Sequence, residues 1–188
     1  MRPRTSAKPA LWRTTQEGQL VTGEYFFTAM TDAYAREIVA WRYPGQYDIY
    51  NVDDAEAEAD VQVLLDPRYA YYAVTDSAGF LVGFCCFGID AQVPGGDYQD
   101  LGALDVGLGL RPDLAGQGRG LGFLEAILDF ARRERGATHF RATIAVFNQR
   151  SRRVFEKAGF AETQRFVSAS ARPLEFVVMT KPPASPAA

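Results

Sequence analysis

Short apolar runs and helix-spaced apolar residues alternate along the chain, and their order predicts a mixed α/β protein. Apolar runs bounded by turn residues are typical of strands, and apolar residues three or four positions apart indicate helices. Strands are predicted at residues 25–30, 69–75, 81–88, 104–110, 140–147, 161–168 and 175–180. Helices are predicted at residues 32–41, 53–65, 123–135 and 149–158.

Composition and charge fit one globular domain and argue against two classes of partner. The chain of 188 residues is 47% hydrophobic and 23% charged, which are ordinary globular values. A net charge of −3 gives no support for nucleic-acid binding, and no apolar run is long enough to span a bilayer. We therefore expect one domain at residues 24–181, a flexible leader at 1–23 and a disordered tail at 182–188.

The two cysteines, Cys85 and Cys86, are neighbours in an apolar run. Adjacent residues of a strand face opposite sides, so the pair does not suit a disulfide. The first residues contain no hydrophobic signal segment, and together these features predict a cytoplasmic protein. No spacing of cysteine or histidine predicts a metal site.

The most informative segment follows the predicted strand 104–110. Gly116, Gly118, Gly120 and Gly122 stand at alternate positions, and the predicted helix 123–135 begins directly after them. Glycines allow positive φ angles and close approach of a ligand, and a helix start offers unpaired N–H groups. The segment therefore predicts an anion site, most often one for phosphate.

Two common phosphate-binding motifs do not fit these glycines. A Walker-type loop needs Lys and then Ser or Thr after its last glycine, whereas Leu121 follows Gly120 and Phe123 follows Gly122. The dinucleotide fingerprint needs a two-residue gap between its second and third glycines, which strict alternation does not supply.

The glycine segment resembles motif A of the GNAT acyl-CoA-dependent N-acetyltransferases, in which R/Q-x-x-G-x-G/A follows a proline by a few residues. A second segment, from Asn148 to Phe160, reads NQRSRRVFEKAGF and resembles motif B of the same superfamily. The two motifs stand in the family's order, separated by one predicted helix and one predicted strand. The resemblance covers roughly residues 25–181.

The resemblance implies a fold, a cofactor and an activity. The fold is a central mixed sheet flanked by helices, in which two parallel strands, here 104–110 and 140–147, splay apart to admit the pantetheine arm of coenzyme A. The activity is metal-free transfer of an acetyl group from acetyl-CoA to the primary amine of a small molecule or peptide, by direct attack in a ternary complex. The alternative is a catalytically degenerate relative that binds acyl-CoA as a sensor or interaction module. Many relatives form homodimers, although no surface patch in the sequence indicates one.

The glycine segment can be aligned with motif A in two registers. Spacing from Pro112 puts Ala115 at the family's Arg/Gln position with Gly118 and Gly120 as the motif glycines, and this register is preferred. A two-residue slip instead gives Gln117, Gly120 and Gly122. Both registers expect backbone donors between Gln117 and Gly120 to bind the pyrophosphate.

The resemblance also assigns the remaining cofactor contacts. Backbone groups at the end of strand 104–110 are expected to bind the pantetheine amides and the acetyl oxygen, and Gly107 and Gly109 are expected to let the ligand come close. Arg119 is either a phosphate contact or a solvated arginine. The expected cofactor-binding residues are Leu108, Gly109, Leu110, Gly116, Gln117, Gly118, Arg119, Gly120, Asn148 and Phe155.

Asp105 is the expected general base, because it is the only acid within the strand that precedes the glycine turn. The alternative for Asp105 is a strand-end acid that faces solvent. Glu156 and Glu162 are further candidates, and His139, the only histidine, is expected to have a structural role.

Phe155 marks a departure from motif B, because it stands where the family usually has a tyrosine near the cofactor sulfur. A phenylalanine packs on a cofactor but donates no proton, so water or another tyrosine is expected to protonate the leaving thiolate. The acceptor is expected over the first helix and its following loop, where Tyr43 and Tyr47 offer apolar surface and cation–π contacts. Trp41, Tyr50 and Asn51 belong to the same candidate segment, and the alternative for Trp41 and Tyr50 is a place in the core.

Overall fold

A mixed β-sheet of eight strands forms the centre of the computed structural model. The structure describes residues 24–183 and the backbone of residues 20–22. The strands are β1 (Leu20–Thr22), β2 (Tyr25–Ala29), β3 (Tyr72–Thr75), β4 (Leu81–Phe87), β5 (Leu104–Leu110), β6 (Phe140–Ala145), β7 (Ala161–Val167) and β8 (Glu175–Lys181). Their order across the sheet is β1-β2-β3-β4-β5-β6-β8-β7. Every neighbouring pair is antiparallel except β5 and β6.

Helices cover both faces of this sheet. They are α1 (Asp32–Val39), α2 (Ala57–Leu65), α3 (Gly120–Arg135) and α4 (Gln149–Lys157). Adjacent residues of a strand face opposite sides, and in β3 Ala73 packs in the cluster that contains α1 and α2. Its neighbour Val74 packs in the larger cluster that contains α3 and α4.

Helix α3 shows how the sequence produces this layering. Its buried residues include Phe123, Leu124, Ile127 and Phe130, a spacing that forms one apolar stripe on a helix. Phe130 stacks on Phe27 of β2 with the ring centroids 4.4 Å apart. The helix ends where Gly136 adopts a left-handed conformation at φ 63° and donates its N–H to Arg132.

The parallel pair β5–β6 opens into a gap. Its register joins Leu104 with Phe140 and Asp105 with Arg141, and the later residues of β5 have no partners on β6 within the described sheet. Strand β6 pairs along its whole length with β8 on its other side, so the opening lies between β5 and β6 alone. The predicted splayed strands are therefore confirmed, and the glycine segment follows directly at the open end.

The predicted helices and strands are all present, with shifted ends. Strand 140–147 stops at Ala145, and strand 69–75 starts at Tyr72 because Pro67–Tyr69 forms a 3₁₀ turn. Helix α3 begins three residues earlier than expected, at Gly120.

The sequence analysis did not predict β1. Residues 20–22 were placed in the flexible leader, but they pair with β2. Residues 1–19, 23 and 184–188 of the predicted leader and tail lie outside the described residues.

Two features are absent from the described ranges, residues 20–22 and 24–183. No helix among these residues is both long and apolar enough to cross a bilayer. No group of three or more His, Cys, Asp or Glu within the same ranges could hold a metal ion.

Candidate active site

The glycine turn between β5 and α3 depends on two positive φ angles. Gly116 has φ 81° and Gly118 has φ 82°, a region that other residues adopt only under strain. The turn starts where Leu114 and Ala115 donate their N–H groups to the Arg111 carbonyl. These residues lead the chain from the end of β5 into α3 by a tight path.

Several backbone N–H groups of this turn have no hydrogen-bond partner among the described residues. The N–H groups from Gly116 to Gly122 make no hydrogen bond to a described backbone or side-chain acceptor. Arg119, at the N-cap of α3, makes no side-chain cap, so the partial positive charge of the helix start is not offset locally. The arrangement suits an anion that accepts several backbone hydrogen bonds.

The four glycines differ in the space around them. A Cβ at Gly118 or Gly122 would meet nothing within 4 Å, whereas a Cβ at Gly120 would lie 2.9 Å from Val154 Cγ2. Gly120 is therefore required for packing of α3 against α4. Gly118 is open and has the positive φ angle, so it is the glycine that best suits direct contact with an anion.

Polar side chains around the turn divide into two groups. Gln117 donates through Nε2 to the Asp113 carbonyl, 2.6 Å away, which holds the turn itself. Arg119 is exposed and lines an open cleft of about 500 Å³ beside Glu24 and Tyr25. Its charge favours the ionised form of Tyr25, although burial, the larger effect, raises the pKa of that tyrosine.

Strand β5 directs alternate backbone groups toward the gap. The N–H of Arg111 bonds Val82 on the β4 side, whereas the N–H of Leu104 bonds His139 on the β6 side, both at 2.9 Å. Because this direction alternates along a strand, Leu108 and Leu110 present their backbone groups to the gap, and Gly109 presents its own to β4. The Tyr43 hydroxyl accordingly reaches the Leu110 carbonyl at 2.9 Å.

The expected reason for the glycines of β5 is wrong. A Cβ at Gly109 would lie 2.3 Å from the ring of Phe84, and one at Gly107 would lie 2.6 Å from Cys86 Sγ. The glycines make room for side chains of β4, so the space above them is filled by the protein itself.

Asp105 lies in a buried ion pair at the closed end of the strand pair. Its carboxylate accepts from Arg141 Nε at 2.6 Å and Nη2 at 2.8 Å, and from Gln92 Nε2 at 2.7 Å. Asp105 and Arg141 are each 4% exposed, and the hydrogen bond to Asp105 raises the pKa of Arg141. This geometry suits Asp105 to holding β5 and β6 together. The alternative of a strand-end acid that faces solvent does not fit its burial.

The other candidate bases lie away from the gap or in ion pairs. Glu162 pairs with Arg152 at 3.2 Å and Arg165 at 2.9 Å. Glu156 is exposed on α4. His139 lies 3.5 Å from Asp100, just before the closed end of β6.

Phe155 lies in the core and not along the gap. It is 2% exposed and packs edge-on against Phe160, with the ring centroids 4.9 Å apart. The expectation that Phe155 lines the cofactor channel is therefore corrected, because the side chain offers no surface to a ligand in this structure. Asn148, in contrast, is partly exposed, and it caps α4 by accepting from Ser151 N at 3.1 Å.

Aromatic side chains from the segment 43–50 cross the mouth of the gap. Tyr47 and Tyr50 both pack against Phe147, with centroid distances of 6.0 and 6.1 Å, and Asn148 Nδ2 donates to the Tyr50 hydroxyl at 3.2 Å. At the other side Tyr43 reaches β5, as described above. This aromatic bridge, residues 43–50 with Phe147, joins the end of β5 to the start of α4.

Burial changes the acidity of this bridge. Burial is the main cause that raises the pKa of Tyr43 to about 12, and burial also raises the pKa of Tyr50. Both hydroxyls are therefore protonated at neutral pH. Tyr50 is 42% exposed, so the alternative of a place in the core does not hold for it, whereas Trp41 is buried.

Arg150 and Phe147 contact Tyr47 of this bridge, and the sequence analysis did not assign them to the site. The Arg150 guanidinium lies 4.7 Å from the centroid of the Tyr47 ring. A signal was present, since Arg150 stands two positions after the motif B asparagine, but nothing in the sequence pairs it with a residue about a hundred positions earlier.

Comparison with known proteins identifies the family. The model of the acetyltransferase (GNAT) domain matches residues 24–161, which is more than half of the chain. The chain therefore belongs to the GNAT acetyltransferase family. No curated protein matches the sequence significantly.

Solved structures show the same fold at low sequence identity. A putative ribosomal-protein-serine acetyltransferase from Vibrio cholerae is 18% identical with a TM-score of 0.66, covering 90% of this chain and 99% of its own. Aminoglycoside acetyltransferase AAC(6')-Ib in complex with coenzyme A is 18% identical with a TM-score of 0.64, covering 84% and 94%. A chimera of the Vibrio cholerae spermidine N-acetyltransferase SpeG with hSSAT is 17% identical with a TM-score of 0.63, covering 84% and 95%.

Proposed function

We propose that this protein transfers an acetyl group from acetyl-CoA to a primary amine by direct attack in a ternary complex. The observation that carries the proposal is that the glycine turn and the open end of the β5–β6 gap lie next to each other. The glycine turn offers backbone N–H groups without described partners, and it adjoins the open end of the β5–β6 gap. Membership of the GNAT family supports the same activity.

The residues present fit coenzyme A. The positive φ angles of Gly116 and Gly118 and the open space at Gly118 suit backbone contact with a pyrophosphate. Leu108 and Leu110 offer backbone groups to a pantetheine arm in the gap. Arg119 within the turn and Arg150 beside Gly116 supply cations that offset the phosphate charge in this proposal.

The transfer requires one bond to form and one to break. The amine nitrogen attacks the thioester carbonyl carbon, a C–N bond forms, the C–S bond breaks, and the sulfur leaves with its electron pair. The nitrogen loses one proton and the thiolate gains one. In this proposal an N–H from Leu108 or Leu110 stabilises negative charge on the carbonyl oxygen, an effect worth about 3 kcal/mol where single donors have been removed.

Direct attack is favoured over a covalent cysteine intermediate. Cys85 and Cys86 are both buried, and burial is the main cause that raises the pKa of Cys86 to about 12. Neither thiol is exposed on the gap or readily ionised. Initial-rate plots that intersect, as a ternary complex requires, are the expected result.

The acceptor is proposed only as a primary amine. The relatives named above act on a ribosomal protein, an aminoglycoside and spermidine. The aromatic bridge is the proposed acceptor surface, with Tyr43 and Tyr47 beside the open end of the gap. Cytoplasmic location, a homodimer and the lack of nucleic-acid partners stay predictions.

A degenerate acyl-CoA-binding relative is the second candidate. It is favoured by Phe155, which has no hydroxyl, and by Asp105, whose carboxylate is engaged by Arg141 and Gln92. Both candidates bind coenzyme A through the same turn, so only turnover separates them.

Release of coenzyme A thiol with a panel of amines tests the activity. Incubation with acetyl-CoA and a thiol reagent should give thiol release that depends on at least one amine among polyamines, aminoglycosides, amino acids and peptide N-termini. The buried Cys85 and Cys86 contribute little background to this assay. Tight coenzyme A binding without amine-dependent release would support the degenerate alternative, and failure to bind coenzyme A would contradict both.

A further inference from the structure

Arg150 lies between the glycine turn and the aromatic bridge. Its Cζ is 4.7 Å from the centroid of the Tyr47 ring. A Cβ at Gly116 would lie 3.7 Å from both Cζ and Nη1 of the same guanidinium. One side chain from the first turn of α4 thus contacts the proposed acceptor surface and borders the proposed phosphate turn.

Arg150 is a free cation for a site of this kind. No carboxylate among the described residues forms an ion pair with it, whereas Arg152 is paired with Glu162 and Arg111 with Asp113. Arg150 is also exposed, so its N–H donors remain accessible to a ligand.

The guanidinium group can serve both neighbours together. Its donors point outward in the plane of the group, while its faces stack on aromatic rings. A phosphate bonded at the edge therefore leaves the face on Tyr47 in place. A lysine ammonium has no such face, so it would keep the charge and lose the stack.

We propose that Arg150 is a positioning residue that links the pyrophosphate of coenzyme A to Tyr47 and so orders the acceptor surface when the cofactor binds. The inference rests on the proposed function. A phosphate that fixes the guanidinium also fixes the Tyr47 ring and, through Phe147, the segment 43–50. Because coupling between two sites is reciprocal, an acceptor that orders Tyr47 tightens cofactor binding by the same factor.

Calorimetry of coenzyme A binding to five single variants and one double variant tests the link. Arg150→Gln should raise the dissociation constant about tenfold, in line with the loss of one charge-assisted hydrogen bond. Arg150→Lys keeps the charge and loses the stack, so it should bind only severalfold more weakly than the wild type. Tyr47→Phe should bind like the wild type because the ring is kept, whereas Tyr47→Leu should bind severalfold more weakly.

The double variant Arg150→Gln/Tyr47→Leu measures the coupling. The two losses should be clearly less than additive, since the second change removes a contact already broken. Lys157→Gln removes a charge from the same helix, roughly 10 Å farther along its axis, and should leave the affinity unchanged. Thermal unfolding should show all variants folded.

A kinetic readout distinguishes positioning from simple charge attraction. With an accepted amine, Arg150→Lys should raise the KM for the amine severalfold while kcat changes little, whereas charge attraction alone predicts an unchanged KM. Additive losses in the double variant, or wild-type affinity in Arg150→Gln, would overturn the inference and leave the proposed function intact. If the wild-type protein binds no coenzyme A, the proposed function itself fails.

Discussion

Asp105 and Arg141 form the most deeply buried charged pair of the described residues, and at the residue scale this pair decides between two roles. Each partner satisfies the other with two hydrogen bonds, and Gln92 supplies a third donor to Asp105. At about 3.3 Å per residue along a strand, Asp105 lies roughly 10 Å from Leu108, where the gap has opened. The pair therefore closes the strands at one end and is far from the proposed reacting atoms.

We predict that Asp105→Asn destabilises the protein and spares its chemistry. Removing one partner of a buried pair leaves the other uncompensated and lowers the free energy of unfolding by about 3 kcal/mol. The apolar double variant Asp105→Leu/Arg141→Met should be less destabilised than the single variant. Urea unfolding measures both. A hundredfold loss of kcat/KM in a variant of unchanged stability would instead restore Asp105 as the general base.

Tyr43 gives a prediction for alkaline pH. Its pKa is about 12 in the folded protein because of burial, against an ordinary value of 10.0. The folded state therefore binds the phenolic proton more tightly than the unfolded state, so this stabilisation is complete below pH 10 and is lost between pH 10 and 12. Tyr43→Phe should lose less stability over that range than the wild type, by up to about 2 kcal/mol. Urea unfolding at pH 9 and pH 11 measures the free energy of unfolding of both proteins. An equal decrease between the two pH values for the wild type and Tyr43→Phe would contradict the prediction.

At the element scale, the sequence predicted the strands and helices well and their contacts poorly. Strand β5 and helix α4 were found because apolar spacing and motif B mark them. The roles of Gly107 and Gly109 were missed because the side chains that need the space, Cys86 and Phe84, belong to another strand. Strand β1 was missed because three residues show no periodicity, and its pairing with β2 is what defines it.

The first turn of α3 gives a prediction about the packing of α3 against α4. Gly120→Val should destabilise the protein, since its Cβ would lie 2.9 Å from Val154 Cγ2 at the contact of α3 with α4. Gly122→Ala should be neutral or stabilising by up to about 1 kcal/mol, because alanine favours helices and its Cβ meets nothing within 4 Å. Thermal unfolding measures both. If Gly120→Val were as stable as the wild type, the packing of α3 against α4 would not require a glycine at this position, and the prediction would be wrong.

At the scale of the whole molecule, the proposed site lies where the pairing of β5 with β6 ends. The β5–β6 pairing is closed by Asp105 and Arg141 at one end and opens at the other, where the glycine turn and the aromatic bridge meet. Motif order predicted the opening and the turn. It could not predict the Arg150–Tyr47 or Asp105–Arg141 contacts, because residues far apart in the sequence are brought together only by the completed sheet.

Coenzyme A binding to Gly118→Ala and Gly136→Ala tests the central claim most directly. Both glycines have positive φ angles, at opposite ends of α3, and a Cβ at either would meet nothing within 4 Å. Both substitutions should therefore cost similar stability, about 1 kcal/mol. Calorimetry should show that Gly118→Ala loses at least tenfold in affinity, by strain and obstruction of the phosphate turn, whereas Gly136→Ala binds like the wild type. Equal affinities in the two variants would contradict a cofactor site at the glycine turn.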